Sequence, residues 1–445
     1  MSTGTNWEGK NIPLTDSLNC HTAVAEVDLQ AILHNYRLLL QAREAAQGPE
    51  VCPDLGAATG LRLPPLMPVV KADAYGHGHI EVSETLCRAG AGIFASGSVQ
   101  EACMLRHGLA QKGLFPEIVS LLGPVTVNDW QLCLRYSVIP VVHSLEQLAS
   151  LQGMDAPEAD RSLFPAKKLR PALPVVVKCN SGMARLGFSL AELSALPDAL
   201  DACSRRFGYG GGSGSGGTGG LVPVMAVSHL ACADGPDGPD QVVAQASVFS
   251  RMLAVLRQRG PVAASLGNSA GTLLAEHAEA IVGPQVCRPG IALYGYSPLA
   301  GTPQEKKGRG LHPAMSVRTP IIALRELAPG ESIGYGHTFT AARKTLVGII
   351  AAGYADGFSR SLSNKGQVCI RGMRANILGR VSMQMSAVDL SPLAENGIRP
   401  ALGEPAWIIG GSGKAAITAD EQADFWGSFS YETLCLLGMN ARRYV

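Results

Sequence analysis

The sequence predicts an α/β barrel of the TIM-like (β/α)8 kind with a second, C-terminal all-β domain. Eight short apolar runs alternate with segments of helical periodicity between residues 65 and 290. After residue 312, short β-type runs bounded by Gly, Pro and Asn follow one another without long helical spacers. Continuous apolar runs are typical of strands that helices cover on both faces, and eight repeats of strand and helix are typical of a barrel. An open doubly wound sheet is the alternative that the number of runs leaves open.

The eight candidate strands are rich in Val, Ile and Leu. They are Met67–Lys71, Gly92–Ser96, Glu117–Leu121, Val138–Val142, Pro174–Lys178, Pro223–His229, Val262–Gly267 and Gln285–Arg288. The segments between them, such as SLEQLASLQ, place apolar residues three and four positions apart, as an amphipathic helix does.

These patterns divide the chain into three parts. Residues 1–28 form an N-terminal segment whose strand is expected to join the β-domain, 29–311 form the barrel and 312–445 the β-rich domain. The tract 208–220 holds nine glycines in thirteen residues and is interpreted as a flexible insertion. A phosphate-cradling loop is the alternative, but it needs a helix directly after the glycines, and the strand-like LVPVMAVSH follows instead.

Composition excludes several classes of protein. Charged residues make up 16% and AVILMFWYC 46%, so the chain can bury a core and is not a charge-rich disordered protein. The net charge of +1 lacks the basic excess of a nucleic-acid binder. Eleven scattered cysteines without a CxxC pair, a polar start and no long apolar run indicate a cytoplasmic protein with no membrane partner.

Polar residues close five of the candidate strands. They are Lys71, Lys178, His229, the pair Asn268 and Ser269, and Arg288. The carboxyl ends of barrel strands meet on one face, which is where such barrels carry their reactive groups. A lysine that closes an apolar strand loses hydration, which favours the neutral, nucleophilic amine that reacts with carbonyl compounds, pyridoxal 5'-phosphate (PLP) included.

Several motifs resemble those of the alanine racemases, PLP enzymes with a barrel and a β-domain. The cofactor-lysine motif is matched by PVVKADAYGHGH, and the similarity extends from AEVDLQAILHNYRLL to the terminal SYETLCLLGMNARRYV in the family's order. The resemblance implies that Lys71 binds PLP covalently through its amine. It implies further cofactor contacts from Tyr75, His229, Asn268, Ser269, Arg288, the backbone of Gly290 and Ile291, and Tyr431. No metal site is implied.

The resemblance also implies a two-base mechanism. Lys71 would serve one face of the substrate, and Tyr335 of ESIGYGHTFTA the other face, donated by the partner subunit of a homodimer. Arg185 is expected to contact the substrate carboxylate and to supply the positive charge that a phenol needs to act as a base near neutrality. Met383 would meet that carboxylate with its backbone N–H, and Tyr354 would line the entrance.

Lys178 matches a lysine that is carbamylated in many relatives. Two positions depart from the family pattern, since Asn180 and Gln384 stand where the family usually has Asp. Both changes remove negative charge and leave open whether the substrate range is strictly alanine.

The resemblance implies interconversion of L- and D-alanine, with D-alanine supplied for peptidoglycan. Two alternatives stay open: a racemase of another or several amino acids, and a non-catalytic PLP-binding protein. A decarboxylase or aldolase is disfavoured, because a cationic Arg288 at the ring nitrogen would weaken the electron sink that such reactions need.

Overall fold

The computed structural model describes residues 22–48, 50–52, 54–55, 59–151, 172–206 and 220–445. The predicted insertion 208–220, apart from Gly220, and most of the segment 1–28 lie outside these residues. The chain divides into two compact units, Glu26–Met315 with Ser430–Val445, and Met1–Ala25 with Ser316–Phe429. The predicted boundaries after residues 28 and 311 stay predictions. Within the described part of the chain, no helix has the length and apolar character needed to cross a membrane.

The first unit contains a parallel sheet of six strands. After a short strand β1 (Val24–Val27), these are β2 (Ile93–Ser96), β3 (Glu117–Ser120), β4 (Ile139–Val142), β5 (Leu173–Lys178), β6 (Leu221–Val227) and β7 (Ala263–Ser265), paired in chain order. Residues of β2, β3 and β4 are buried throughout, as expected for strands that helices cover on both faces.

The first and last candidate strands form only bridges, so their prediction as full strands was wrong. Leu66 bridges Cys287, Val69 bridges Ala95 and Ala264 bridges Gln285, all in parallel orientation. These bridges link each candidate strand to its neighbours and close the ring. Prolines explain the interruption, because Pro64, Pro65 and Pro68 in one segment and Pro284 and Pro289 around the other lack the N–H that a continuous ladder needs.

Helices of the same unit pack around this ring. Their bounds are Leu29–Gln47, His79–Arg88, Val99–Gln111, Val127–Arg135, Leu145–Ala149, Leu196–Arg206, Gly238–Arg257, Ser269–Leu273, Ala275–Val282 and Ser430–Leu437. Caps fix several starts: the Asp28 carboxylate accepts from two backbone N–H groups of the first helix, and Thr126 and Asp129 form a capping box. Fully buried Trp130, Phe188 and Phe249 pack in the core between strands and helices.

The second unit is built on antiparallel strands. They are β8 (Met315–Leu327), β9 (Ser332–Ile333), β10 (Phe339–Thr340), β11 (Thr345–Ile350), β12 (Gln367–Ile370), β13 (Met373–Leu378), β14 (Ser386–Asp389) and β15 (Pro405–Ile409). The long β8 pairs with both β15 and β11, so the order β11-β14-β13-β12-β15-β8 closes on itself. Two short helices, Ser391–Glu395 and Ala419–Asp424, belong to this unit. A last strand, β16 (Ala441–Tyr444), lies in the first unit.

Candidate active site

A cavity of about 600 Å³ lies in the barrel unit, on the side where the parallel strands end. The predicted site residues that line it are Lys71, Tyr75, Lys178, Arg185, His229, Asn268, Ser269, Arg288, Gly290 and Tyr431. Ile291 is buried beside Gly290. The polar strand ends therefore converge, as the barrel topology requires. Among the described residues, no group of His, Cys, Asp and Glu is arranged to hold a metal ion.

Lys71 follows the buried Val69 and Val70 and is open to the cavity. The Val70 N–H donates to the carbonyl oxygen of Ala95 at 2.8 Å, which ties this segment to β2. Loss of hydration in the cavity, followed by the positive charge of Arg185, lowers the pKa of Lys71. A larger share of the amine is thus neutral and able to act as a nucleophile or a base.

A left-handed turn follows Lys71. Ala72, Asp73, Ala74 and Tyr75 have φ of 52°, 53°, 56° and 54°, a conformation that costs roughly 1–2 kcal/mol for each residue with a Cβ. Four such residues in succession persist only where the surrounding structure holds them. The turn carries Tyr75 back into the cavity beside Lys71.

Hydroxyl and backbone groups converge near Gly290. Ser269 Oγ accepts hydrogen bonds from the N–H of Gly290 at 2.8 Å and of Ala292 at 3.3 Å. A Cβ on Gly290 would lie 2.4 Å from the Tyr75 hydroxyl, so only glycine allows this close approach. The rings of Tyr75 and Tyr431 lie 5.9 Å apart. This corner offers hydroxyl and N–H donors to an anion.

Arg288 is 4% exposed, and both terminal nitrogens of its guanidinium donate to acceptors. Its guanidinium donates to the Ser265 carbonyl at 2.8 Å, to Ser265 Oγ at 2.6 Å and to the Ser228 carbonyl at 2.5 Å. Burial lowers its pKa to about 10, which leaves it charged near neutrality. It also lies 3.3 Å from His229 Nδ1. Burial and then the Arg288 charge lower the pKa of His229 to about 2, so His229 is neutral and accepts at Nδ1.

Lys178 ends β5, and a loop returns to it with Arg185 at its tip. The Phe188 N–H donates to the Lys178 carbonyl and the Asn180 N–H to the Phe188 carbonyl, both at 2.9 Å. Burial, followed by the charges of Arg288 and Arg185, lowers the pKa of Lys178 to about 7. The cavity thus places a reactive amine next to two guanidinium groups.

Asn180 shapes this loop. Its Oδ1 accepts from the backbone N–H of Gly182 at 3.3 Å and of Ala184 at 3.0 Å. An aspartate oxygen could accept the same two hydrogen bonds. Asparagine therefore supports the same loop as aspartate would, without placing a negative charge beside Lys178 and Arg185.

Two further side chains organise the site and carried no sequence motif. Glu101 accepts from the N–H of Ala72 at 2.6 Å and of Gly97 at 2.9 Å, which fixes the backbone around Lys71. Gln245 accepts from the Ala231 N–H at 2.9 Å and donates to the His229 carbonyl at 2.8 Å and to Ser181 Oγ at 3.1 Å. Glu101 resembles an ordinary residue in the first turn of a helix, and Gln245 lies mid-helix, so only the tertiary contacts reveal them.

The remaining predicted residues lie in the β-unit. Tyr335 is 69% exposed, Tyr354 46% and Met383 58%. The Tyr354 N–H donates to the Ser382 carbonyl at 3.0 Å, and the Ala355 N–H to the Met383 carbonyl at 2.9 Å, so Tyr354 and Met383 lie on adjoining loops. Tyr335 stands between Gly334 and Gly336, both with positive φ. Three large side chains are thus presented to solvent rather than packed in a core.

Comparison with known families decides the identity. Residues 57–298 match the family described as "Alanine racemase, N-terminal domain", and residues 314–445 match "Alanine racemase, C-terminal domain". The chain belongs to the alanine racemase family. Members of this family are isomerases, and the predicted enzyme class and fold class are both confirmed.

Individual relatives cover nearly the whole chain. An alanine racemase from Nitratidesulfovibrio vulgaris (strain Miyazaki F) is 45% identical over 382 residues, which are 86% of this chain and 92% of that protein. The crystal structure of biosynthetic alanine racemase from Pseudomonas aeruginosa is 33% identical with a TM-score of 0.70, covering 96% of this chain and 99% of that one. The Bartonella henselae alanine racemase, solved with covalently bound pyridoxal phosphate, is 26% identical with a TM-score of 0.70, covering 95% and 99%.

Proposed function

We propose that this family member is a cytoplasmic enzyme that interconverts L- and D-alanine with PLP held in the barrel cavity, and that the D-alanine is supplied for peptidoglycan. One observation carries the proposal: three groups meet in the cavity. They are Lys71, whose pKa is lowered, the buried cation Arg288, and the hydroxyl and backbone groups near Gly290. Family membership and the alanine racemases that this chain is similar to support the choice of reaction and substrate.

The described lining of the cavity fits PLP. The lining has four basic residues, Lys71, Lys178, Arg185 and Arg288, and one acidic residue, Glu432. The two guanidinium groups would give a phosphate and a substrate carboxylate positive charge to meet. The Gly290 backbone approaches Tyr75 so closely that a Cβ would fill the space, as a phosphate cradle requires. Lys71 would hold the cofactor covalently. Tyr75, His229, Asn268, Ser269, Arg288, Gly290, Ile291 and Tyr431 would hold it by contact.

When bound, PLP supplies the electron sink that makes the α-hydrogen of an amino acid acidic. Arg288 would hold the ring nitrogen. Its guanidinium does not readily give up a proton, and its positive charge disfavours a second positive charge on that nitrogen. A weaker sink limits side reactions, which suits a racemase better than a decarboxylase. Arg185 and the backbone N–H of Met383 would bind the substrate carboxylate, with Tyr354 at the entrance.

Inversion at Cα needs proton removal on one face and delivery on the other. The Lys71 amine serves one face, since the cavity favours its neutral form. Tyr335 serves the other face and comes from the partner subunit of a homodimer. Its 69% exposure in the β-unit supports this role, because a phenol that its own unit leaves mostly uncovered is available to a second chain.

We expect Lys178 to be carbamylated. The neutral amine attacks the carbon of CO2, a nitrogen–carbon bond forms, and the proton leaves to solvent, which gives a carbamate with one negative charge. That charge would orient Arg185 and replace the repulsion between two cations. It would also supply the anionic character that Asn180 lacks in comparison with the family's usual Asp.

Carbamylation of Lys178 is expected to rise as the pH passes through about 7, because its pKa is lowered to about 7 and the amine becomes neutral above that value. Trapping with isotope-labelled CO2 at fixed dissolved CO2, followed by peptide mass spectrometry, measures the modified fraction. The exposed Lys365 serves as the control lysine in the same sample. Equal labelling of Lys178 and Lys365 across the pH range would contradict the expectation.

The function is tested by a panel of amino acids given to the purified protein with PLP. We expect L-alanine to be racemised faster than L-serine or L-lysine. Faster turnover of serine or lysine would favour a racemase of several amino acids. The specific argument for that alternative is the absence of negative charge at Asn180 and Gln384. PLP binding without turnover of any amino acid would favour a non-catalytic PLP-binding protein.

A further inference from the structure

The C-terminal strand β16 contacts the left-handed turn that follows Lys71. The Arg442 guanidinium donates to Asp73 Oδ2 in a close ion pair, and to the carbonyl oxygen of Gly76 at 3.2 Å. Asp73 lies inside the turn and Gly76 directly after it. One side chain from the end of the chain therefore binds both the middle and the end of the turn.

Asp73 is held from two sides. Its Oδ1 accepts from the backbone N–H of His79 at 2.8 Å and lies 2.6 Å from His79 Nδ1, while Oδ2 accepts from Arg442. Burial alone would raise the pKa of Asp73, but the hydrogen bonds from His79 and Arg442 outweigh it and hold the pKa well below its usual value. The carboxylate is therefore charged near neutrality, where it forms the ion pair with Arg442.

The backbone that follows the left-handed turn packs closely against the C-terminal segment. A Cβ on Gly76 would lie 2.6 Å from the Leu434 carbonyl and 2.8 Å from Gly438 Cα. A Cβ on Gly78 would lie 2.0 Å from the hydroxyl of Tyr444, which itself lies 3.1 Å from Glu81 Oε2. The two glycines of the motif thus make room for the C-terminal segment, and that segment includes the helix that brings Tyr431 into the cavity.

We propose that Arg442 is a positioning residue, which through Asp73 and Gly76 holds the left-handed turn in the conformation that presents Lys71 and Tyr75 to the cofactor. This inference rests on the proposed PLP site. Four consecutive residues with a Cβ in the left-handed region do not persist by local preference. Arg442 is absent from the lining of the cavity and acts only through the turn.

The strand offers a matched control. Arg443 is the next residue of β16 and is exposed on the opposite side, so Arg443→Ala removes the same charge from the same strand without touching the turn. We expect Arg442→Ala to bind PLP at least about tenfold more weakly than wild type, because small misplacements at a binding site are costly. Arg443→Ala should bind PLP as wild type does. Equilibrium dialysis of the apoprotein with PLP measures both.

Hydrogen exchange separates a local effect from general destabilisation. In the apoprotein, Arg442→Ala should raise amide exchange in residues 72–78 and leave the helix Gly238–Arg257 unchanged. Arg442→Lys should restore part of the PLP affinity, since it returns one positive charge towards Asp73. It lacks the rigid guanidinium from which a single nitrogen, Nη1, reaches both Asp73 and the Gly76 carbonyl. The pH titration of the visible absorption of the PLP-loaded protein should shift in Arg442→Ala and not in Arg443→Ala.

Wild-type exchange at 72–78 together with wild-type PLP affinity in Arg442→Ala would overturn the inference, and so would equal effects of the two alanine variants. If Arg442→Ala does not fold, amide exchange and PLP affinity are measured on Arg442→Lys and Asp73→Asn instead. Wild-type exchange and wild-type affinity in both of these variants would overturn the inference. If wild-type protein binds no PLP, the proposed function fails, while the exchange data still decide whether Arg442 holds the turn.

Discussion

Replacement of Lys71 by alanine should abolish racemisation, with a fall in kcat/KM of roughly 10³-fold or more, because the variant loses both the covalent link to PLP and one of the two bases. Borohydride reduction should fix PLP to wild-type protein on the Lys71 peptide and fix none to the variant. Noncovalent PLP binding should persist in part, since Tyr75, Ser269, Gly290 and Arg288 remain in the cavity.

Lys365→Ala is the control for this experiment, because Lys365 is an exposed lysine of the β-unit. It should racemise alanine as wild type does. Small amines added to Lys71→Ala should restore part of the activity if the missing group is a base. An activity of Lys71→Ala within tenfold of wild type, or reductive fixation of PLP at Lys178 in wild type, would show that the cavity uses a different lysine.

Replacement of Tyr335 by phenylalanine should slow racemisation by about 10²–10⁴-fold, the usual contribution of a general acid–base group. The change removes only a hydroxyl from a side chain that is 69% exposed, so folding and PLP affinity should stay as in wild type. Exchange of the α-hydrogen with solvent should be lost for one enantiomer of alanine and largely kept for the other. Equal loss for both enantiomers, or loss of PLP, would count against a two-base mechanism.

Mixing the two inactive variants tests whether Tyr335 acts across subunits. If Tyr335 serves the partner's cavity, a heterodimer of Lys71→Ala and Tyr335→Phe has one site with both bases and one site with neither. Random reassortment should then restore about a quarter of wild-type activity. If Tyr335 served its own chain's cavity, both sites of the heterodimer would lack one base and no activity would return.

Topology made part of the site predictable from the sequence. Lys178, His229 and Arg288 each close an apolar run, and parallel strands in a barrel end on one face, so their convergence needs no knowledge of the loops. The bridges at Leu66 and Val69 show the limit of the same reasoning, since prolines reduce a predicted strand to isolated pairs without moving Lys71 from the cavity.

Groups that act through long-range contacts were not predictable. Glu101 and Gln245 carry no motif, and Arg442 lies in a terminal motif that assigns it no role. Each gains its role from a partner far away in sequence: Ala72, Ser181 and Asp73, respectively. The left-handed turn is equally hidden, because Ala72 and Ala74 individually favour the right-handed region. Contacts from outside the turn hold it: the packing of Gly76 against Gly438, the hydrogen bond from the Ala72 N–H to Glu101, and the contacts of Asp73 with His79 and Arg442.

The most direct test of the central claim is incubation of the PLP-loaded protein with L-alanine and, separately, with D-alanine in D2O. Both reactions should approach the same equal mixture of enantiomers, and the products should carry deuterium at Cα. The Lys71→Ala protein should give neither change. Deuterium incorporation without inversion, or no reaction of either enantiomer in protein that holds PLP, would contradict the assignment of this cavity as an alanine racemase active site.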